Sequence, residues 1–440
     1  MAQTESLLDR LARPTSLFTL AFSVRLLYLS IIGLDSTALS HPDSSIFIGI
    51  ASSADWWRGT PDRMPVYPIF LYIHFVVFGA ASLWAPIVTQ MAVDALACVA
   101  ISRIAEAICP GSGRWAGLLA AFNPTQIVLA GALLGDSLFV SCLVGGFLAL
   151  ARWSRGDSSP VAIGIWLGVA LLNRALIWPF LPVIGLAIAA RASGIDRIRA
   201  PIIVLLIVGL FAAPIIVRNW AETGSAALTS QGGVHMAFWL YPLAREAADG
   251  TPYAVSVAAA RERFQVLGGT RPEITAFEAS ALYSQLAREG LREVGLVGIA
   301  KSWVVGALIN LASPATQMIP AVMALPRTGF YDTVGASPLD KIKNFVFNSS
   351  GGDYIAWIGL GIAIEWPIRL VALLGFLIAW RARTMRAAAV FALLWTGYIL
   401  AVQGPVASAK YRLPIEPVAM VFVGVAISRF ERRNATKALE

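Results

Sequence analysis

The sequence predicts an all-α polytopic membrane protein, a bundle of about ten transmembrane helices with juxtamembrane helices and a partly helical extracytoplasmic segment, and three observations carry that prediction. The 440 residues are 57% hydrophobic and 14% charged, with a mean hydropathy of +0.70, outside the range of a soluble domain. Apolar runs of roughly 20 residues, the length that crosses the hydrocarbon core, recur along the chain. Arginines collect in the short segments between those runs rather than in one patch. Strand-like alternation is absent, and lipid demands that every backbone polar group be satisfied internally, so the runs are read as helices.

Spans are expected near 15 to 34, 84 to 106, 114 to 134, 137 to 153, 160 to 173, 175 to 191, 200 to 217, 354 to 380, 387 to 404 and 412 to 429. The first run is longer than a signal-peptide core and no A-x-A-like site follows it, so it reads as an uncleaved first span. Arg10 and Arg13, Arg103 and Arg114, Arg152 and Arg155, Arg191 to Arg199, Arg381 to Arg386 and Arg429 to Arg433 mark the cytoplasmic segments. The net charge of +8 is therefore topological and gives no reason to expect nucleic acid as a partner. Cys98, Cys109 and Cys142 lie in or at the ends of spans, which implies neither a disulfide framework nor a cysteine metal site.

Parity makes one further decision. Arg218 is outside if Arg191 to Arg199 is inside, and Arg381 to Arg386 is inside again, so an odd number of crossings separates them. The run 354 to 380 supplies one, and Gly295 to Pro320 is expected to lie against or dip into the outer face, with an additional span between 320 and 353 as the rival explanation. Three regions follow: 1–218, an N-terminal transmembrane module whose first loop, 35–83, carries the active site; 219–353, an extracytoplasmic segment with juxtamembrane helices; and 354–440, a C-terminal transmembrane module. Within the second, Thr275 and Glu278 have capping-box spacing and open a helix with Phe277, Leu282, Leu286 and Leu291 near one face. Gly164 and Gly168 form a GxxxG, read as helix packing.

Polar residues are concentrated where this topology places the exterior. The first loop gathers Asp35, Asp43, Asp55 and Asp62 with His41, Arg58, Arg63, Trp56 and Trp57. Carboxylates pinned at a membrane face by tryptophans suit general-base chemistry; a solvated loop with an interfacial anchor is the plainer reading. The same face receives Asp136, Asn173, Arg174, Arg218, Asn219, Lys410, Tyr411 and Arg412. Asp136 equally suits a helix N-cap, and Arg174 and Arg412 equally suit snorkelling to headgroups. Arg25, inside the first span, must face the bundle and pair with something. His41 and His235 stand outside any metal-ligating motif.

The order of these features carries a resemblance. Asp43-Ser44 with Phe47 and Ala51, then R-x-P-x-Y-P at Arg63 to Pro68, Asn123-Pro124, Asp136 before Leu138-Phe139, RN-x-x-x-T-G at Arg218 to Gly224, T-S-x-G-G at Thr229 to Gly233 and KYRLPIEP at Lys410 to Pro417 together resemble the GT-C glycosyltransferases. Within them the pattern is similar to the group of protein O-mannosyltransferases and the lipid A aminoarabinose transferase. The resemblance implies an inverting hexosyl- or pentosyltransferase that moves a sugar from a polyprenyl-phosphate donor to an extracytoplasmic glycan, lipid or protein. It implies a multi-pass protein of the bacterial inner membrane with its active site facing the periplasm. It implies Asp43 as general base and Asp136 as a second acidic residue that orients the acceptor. Arg218 is the first choice for the donor phosphate, followed by Lys410, Arg412, Arg63 and Arg174, with Tyr67, Asn219, Ser230, Gln231 and Tyr411 in the substrate site.

No cofactor is expected. A phosphate monoester leaving group needs less help than a diphosphate, so turnover is expected to be metal-independent, with a divalent cation as the alternative. The chain departs from the family at Phe47, where Tyr is usual, and at Asp43-Ser44, where protein mannosyltransferases carry Asp-Glu. Two other functions compete: a polymerase or ligase acting on diphosphate-linked oligosaccharide, and a transporter or flippase. Transporters tend to show paired halves, broken helices and charges at the midplane, whereas only Arg25 is deep here.

Overall fold

The computed structural model describes residues 7–34, 39, 41, 43–54, 61–326, 328–330, 332–348 and 351–437. Asp35, Asp55, Trp56, Trp57 and Arg58 of the first loop lie outside the described residues. Within them the chain is helical, with no strand. Eight helical stretches are long and apolar enough to cross a membrane: Pro14–Ile32, Trp84–Ile108, Gly135–Trp153, Asp196–Thr223, Ala276–Ala312, Gly352–Arg381, Arg386–Gln403 and Ala409–Asn434. Seven of these fall on expected spans, and the shorter apolar helices Pro160–Asn173 and Ala175–Arg191 fall on two more.

The remaining expected span, 114 to 134, is broken into helices Gly113–Ala121 and Pro124–Ala130. Pro124 has no N–H to donate and drives the residue before it out of the helical region, where Asn123 sits at ψ 116°. Asn123 then caps the second piece, its Oδ1 accepting from the Gln126 N–H at 3.1 Å. The break brings Asn123 and Thr125 into the protein interior.

Helix Trp84–Ile108 packs against Pro14–Ile32, Gly113–Ala121 and Gly135–Trp153, and Pro160–Asn173 lies between Gly135–Trp153 and Asp196–Thr223. The GxxxG is a packing device: a Cβ at Gly168 would come within 2.5 Å of the Phe211 ring, so glycine sets how closely these two helices approach. Arg25 is fully buried and paired, its Nε donating to Asp94 Oδ2 at 2.6 Å and its Nη1 to the carbonyls of Ala21 and Ala121. An aspartate in the next long span thus meets the requirement set by an arginine in the first. Outward-facing side chains such as Leu186, Leu206, Leu210 and Leu370 are more than 60% exposed, a surface suited to lipid.

The two ends of the bundle differ. At one, Arg114 bridges Asp9 at 2.8 Å and Glu431 at 2.7 Å, while Arg155 and Arg432 reach the carbonyls of Ala107 and Pro110. At the other, helices Ser44–Ser52 and Val66–Phe78 of the first loop cover the segment before helix Gly135–Trp153. Ser44 Oγ donates to the Leu133 carbonyl at 2.9 Å, and the Leu133 N–H to the Leu39 carbonyl at 3.1 Å.

The long element Ala276–Ala312 opens on the anticipated capping box, with Thr275 Oγ1 accepting from the Glu278 N–H and the Glu278 carboxylate from the Thr275 N–H. Gly295, at φ 73° and ψ 166°, kinks it. The element as a whole meets the length and hydropathy of a crossing, and its last turns bond to two of the C-terminal spans and the segment after one of them. Trp303 Nε1 donates to the Ala401 carbonyl at 2.9 Å, Asn310 Nδ2 to the Val406 carbonyl at 2.8 Å, and Arg369 to the Ala312 carbonyl at 3.0 Å. Its last turns therefore pack on the end of Arg386–Gln403, the segment after it and the middle of Gly352–Arg381.

Candidate active site

The site is built on the 3-10 turn Ala409–Ile415, which contains KYRLPI. Trp395 supports the turn from below: it is fully buried among Phe147 and Phe180 and donates Nε1 to the Pro414 carbonyl at 2.8 Å. Ser408 caps the turn by accepting from the Lys410 N–H at 3.4 Å. Held this way, the turn sends Lys410 toward the first loop and Arg412 into the interior.

Lys410 Nζ lies 2.7 Å from Asp43 Oδ2 and 5.3 Å from the centre of the Tyr411 ring. Asp43 immediately precedes helix Ser44–Ser52, and its side chain remains 41% exposed while that of Lys410 is only 13% exposed. The carboxylate is thus held by a cation yet open to a second molecule. His41 completes the group: its Nδ1 accepts from the Asp43 N–H at 3.2 Å and stands 3.7 Å from Asp43 Oδ2. Burial would raise the Asp43 pKa, but Lys410, with smaller contributions from His41 and Arg63, outweighs it and holds the carboxyl below its ordinary value. Burial, with Lys410 adding to it, pushes the His41 imidazole down to about 4, so it is neutral at physiological pH.

Arg63 sits 5.8 Å from the Phe47 ring centre and pairs with Asp62 at 3.0 Å. Phe47 in turn packs edge-on against Tyr67, with ring centres 5.1 Å apart. Tyr67 lies against the start of helix Gly135–Trp153, where a Cβ at Gly135 would come within 3.1 Å of it. Asp136 is not the N-cap, which is Leu134; it lies in the first turn and binds Arg174. Its charge also acts on His41 and Lys410. Asp43, Asp136, Lys410, Arg63, Arg174 and Tyr67, separated widely along the chain, therefore converge on one end of the bundle.

Arg218 and Asn219 occupy the same end through a different route. Arg218 Nε and Nη2 donate to Asn219 Oδ1 at 2.9 and 2.7 Å, and Asn219 Nδ2 donates to the Ala227 carbonyl at 2.7 Å. Asn219 is thereby engaged in folding the following loop back on Arg218. That loop reaches the first loop where the Ser230 N–H donates to the Pro61 carbonyl at 2.9 Å, and Gln231, next to it, is exposed. Of the two glycines of T-S-x-G-G, Gly233 serves packing, since a Cβ there would fall 1.9 Å from the Ser280 carbonyl oxygen, whereas Gly232 has open space around it. His235 comes close enough to Arg174 that its pKa is lowered, chiefly by burial and further by that charge.

Arg412 departs from the expectation of a phosphate ligand. It is 2% exposed, and its guanidinium is taken by Glu365, Glu416, Thr125 and the carbonyls of Asn310 and Ser313. Glu365 and Arg369 were not singled out from the sequence, Glu416 entered only as a letter of KYRLPIEP, and His41 was noted only as a first-loop residue outside any metal-ligating motif. A signal existed for the first three: Glu365 with Arg369, and Arg412 with Glu416, are ionisable pairs four apart in apolar surroundings, where such groups require partners. Among the described residues no three His, Cys, Asp or Glu side chains gather in a way that could hold a metal ion.

The chain superposes on the archaeal oligosaccharyltransferase AglB from Archaeoglobus fulgidus, in complex with an inhibitory peptide and a dolichol-phosphate. The TM-score is 0.52 at 14% identity, over 97% of this chain and 51% of that one. A second structure of the Archaeoglobus fulgidus oligosaccharyltransferase, tethered to an acceptor peptide containing the NVT sequon, gives 0.53 at 13% identity over the same shares. ArnT from Cupriavidus metallidurans in the apo state is matched more loosely, with a TM-score of 0.39 at 16% identity over 94% of this chain and 78% of that one. The chain spans about half the length of the oligosaccharyltransferases it matches. At these identities the likeness is one of fold, and that fold is the GT-C architecture anticipated from the motif order. No family model and no curated protein matches the chain.

Proposed function

We propose that the chain is an integral-membrane inverting glycosyltransferase that moves a sugar from a polyprenyl-phosphate donor to a hydroxyl of a glycan, lipid or protein acceptor. The observation that carries this reading is the Asp43–Lys410 pair, a carboxylate 2.7 Å from an ammonium and still accessible, with Asp136, Arg174 and Arg63 around it. The pair lies at the end of the bundle away from the arginine-rich segments. The positive-inside bias assigns that end to the exterior, the periplasm in a bacterial inner membrane.

In the proposed step the acceptor oxygen attacks the anomeric carbon on the face opposite the phosphate. Asp43 takes the hydroxyl proton as the new C–O bond forms, and the bond from the anomeric carbon to the phosphate oxygen breaks, leaving its electron pair on the polyprenyl phosphate. A carboxylate of low pKa suffices because the hydroxyl becomes strongly acidic only as the bond forms. Lys410, Arg63 and Arg218 are assigned to the charge that develops on the phosphate, and Asp136 with Arg174 to placing the acceptor. Half-buried Tyr411 and exposed Gln231 are assigned to contact with substrate, while Tyr67 and Ser230, both buried, would support the site from within. Because a protein cation is already in place beside the carboxylate, transfer is expected to persist in EDTA.

The test is transfer by purified protein in liposomes from polyprenyl-phosphate sugars, with the anomeric configuration of the product read by NMR. A product of retained configuration, or sugar-lipid flux with no covalent product, would overturn the reading; the second result would favour a flippase.

A further inference from the structure

We infer that Arg412 is a positioning residue: its buried charge network orients the turn that places Lys410 on Asp43. The inference deepens the proposed function and rests on Asp43 and Lys410 being reacting-site groups.

Arg412 and Lys410 are two residues apart on the turn Ala409–Ile415 and point to different partners. All five N–H groups of Arg412 are used. Nε donates to Glu416 Oε1, Nη1 to the carbonyls of Asn310 at 3.0 Å and Ser313, and Nη2 to Thr125 Oγ1 at 2.8 Å and Glu365 Oε2 at 2.9 Å. No donor remains for a phosphate. The partners are themselves held: Glu416 accepts from Asn123 Nδ2 at 2.9 Å, Glu365 from the Ala315 N–H at 2.6 Å, and Arg369 binds Glu365 and the Ala312 carbonyl. Two arginines and two glutamates balance in charge. They join the break at Asn123-Pro124, the end of Ala276–Ala312, the middle of Gly352–Arg381 and the start of Glu416–Lys437.

A planar fork with every donor engaged resists rotation of the backbone that carries it, which a lysine at the same place would not do. Lys410 has the opposite character, a flexible stem bearing a point charge. Its ammonium stays 2.7 Å from Asp43 only while the turn beneath it is fixed. Arg412 therefore acts on the reaction through Lys410, and not by touching the donor.

Two variants test this, Arg412→Met combined with Glu416→Gln, which keeps the network neutral, and Arg412→Lys, which keeps the charge and loses the fork; the second stands in if the first aggregates. The first readout is acylation of Lys410 by a succinimidyl ester, followed by mass spectrometry, and it is independent of turnover. Release of Lys410 from Asp43 is expected to speed its labelling roughly 10-fold, as a side chain freed from its partner is. In transfer from a polyprenyl-phosphate sugar, kcat is expected to fall about 10- to 100-fold with donor KM within about 3-fold, the pattern of a lost transition-state contact. The acid limb of the pH profile should also rise toward the ordinary carboxylate value. In a Lys410→Met background the same substitutions should add less than about 2-fold, because both act through one contact.

Unchanged Lys410 labelling overturns the inference, as does a rise in donor KM without a fall in kcat, or a loss that multiplies with that of Lys410→Met. If the wild-type protein transfers no sugar from any donor, the proposed function falls, while the labelling result still decides whether Arg412 holds Lys410 in place.

Discussion

Lys410 and Arg412 stand on the same turn and belong to ion pairs of opposite kinds. The Lys410 partner, Asp43, is 41% exposed, whereas the Arg412 partners, Glu365 and Glu416, are 5% and 7% exposed. An open pair contributes little to stability, since water screens it, but its carboxylate remains available to another molecule. A closed network pays a desolvation cost for each ion and returns fixed geometry in place of reactivity. The difference between these two regions separates groups suited to chemistry from groups that hold the chemistry in place.

The largest expected effect breaks the open pair. Asp43→Asn should lower kcat of transfer about 10²- to 10⁴-fold, the usual contribution of a general base, while changing unfolding stability by no more than about 1 kcal/mol. Transfer near the wild-type rate would remove Asp43 from the role of base. Breaking the closed network should do the reverse in stability: Glu416→Gln leaves Arg412 short of a counter-charge and should cost about 3–5 kcal/mol. Chemical unfolding in detergent measures it, and a loss no larger than that of Asp43→Asn would erase the contrast between the two regions.

A smaller effect sharpens the open region. His41 has a pKa of about 4 when folded and 6.5 when unfolded, so between those values the unfolded chain binds more protons and stability rises with pH. Acidification from pH 6.5 to 4 should therefore remove about 2 kcal/mol, and His41→Gln should flatten that slope. An unaltered slope in the variant would assign the titration to another group. The smallest effect lies outside both regions: Thr275→Ala removes the cap of helix Ala276–Ala312 and should cost about 1 kcal/mol with transfer unaffected. A drop in transfer as large as that of Asp43→Asn would show that this helix contributes to the site directly.

Much of this protein was legible in its residues, for reasons that can be named. Apolar run length locates the helices because the bilayer sets a minimum span. Arg25 announced that it needed a partner because an ionised group in lipid cannot stay alone, and Asp94 meets that need. Thr275 and Glu278 were readable because a capping box is local. The break at Pro124 was visible in its letters, yet hydropathy alone ran the span through it.

What composition and spacing determined by themselves is the helical, membrane-spanning class, the placement of the apolar runs and the concentration of acids and bases at one end, since each follows from local chemistry and chain length. Only the tertiary structure decided which of two cations, Lys410 or Arg412, meets Asp43 and which is locked away with Glu365 and Glu416. That choice depends on how Trp395, Asn310 and Thr125 seat one short turn among four distant segments, and contacts between residues hundreds of positions apart leave no periodic signal in the chain.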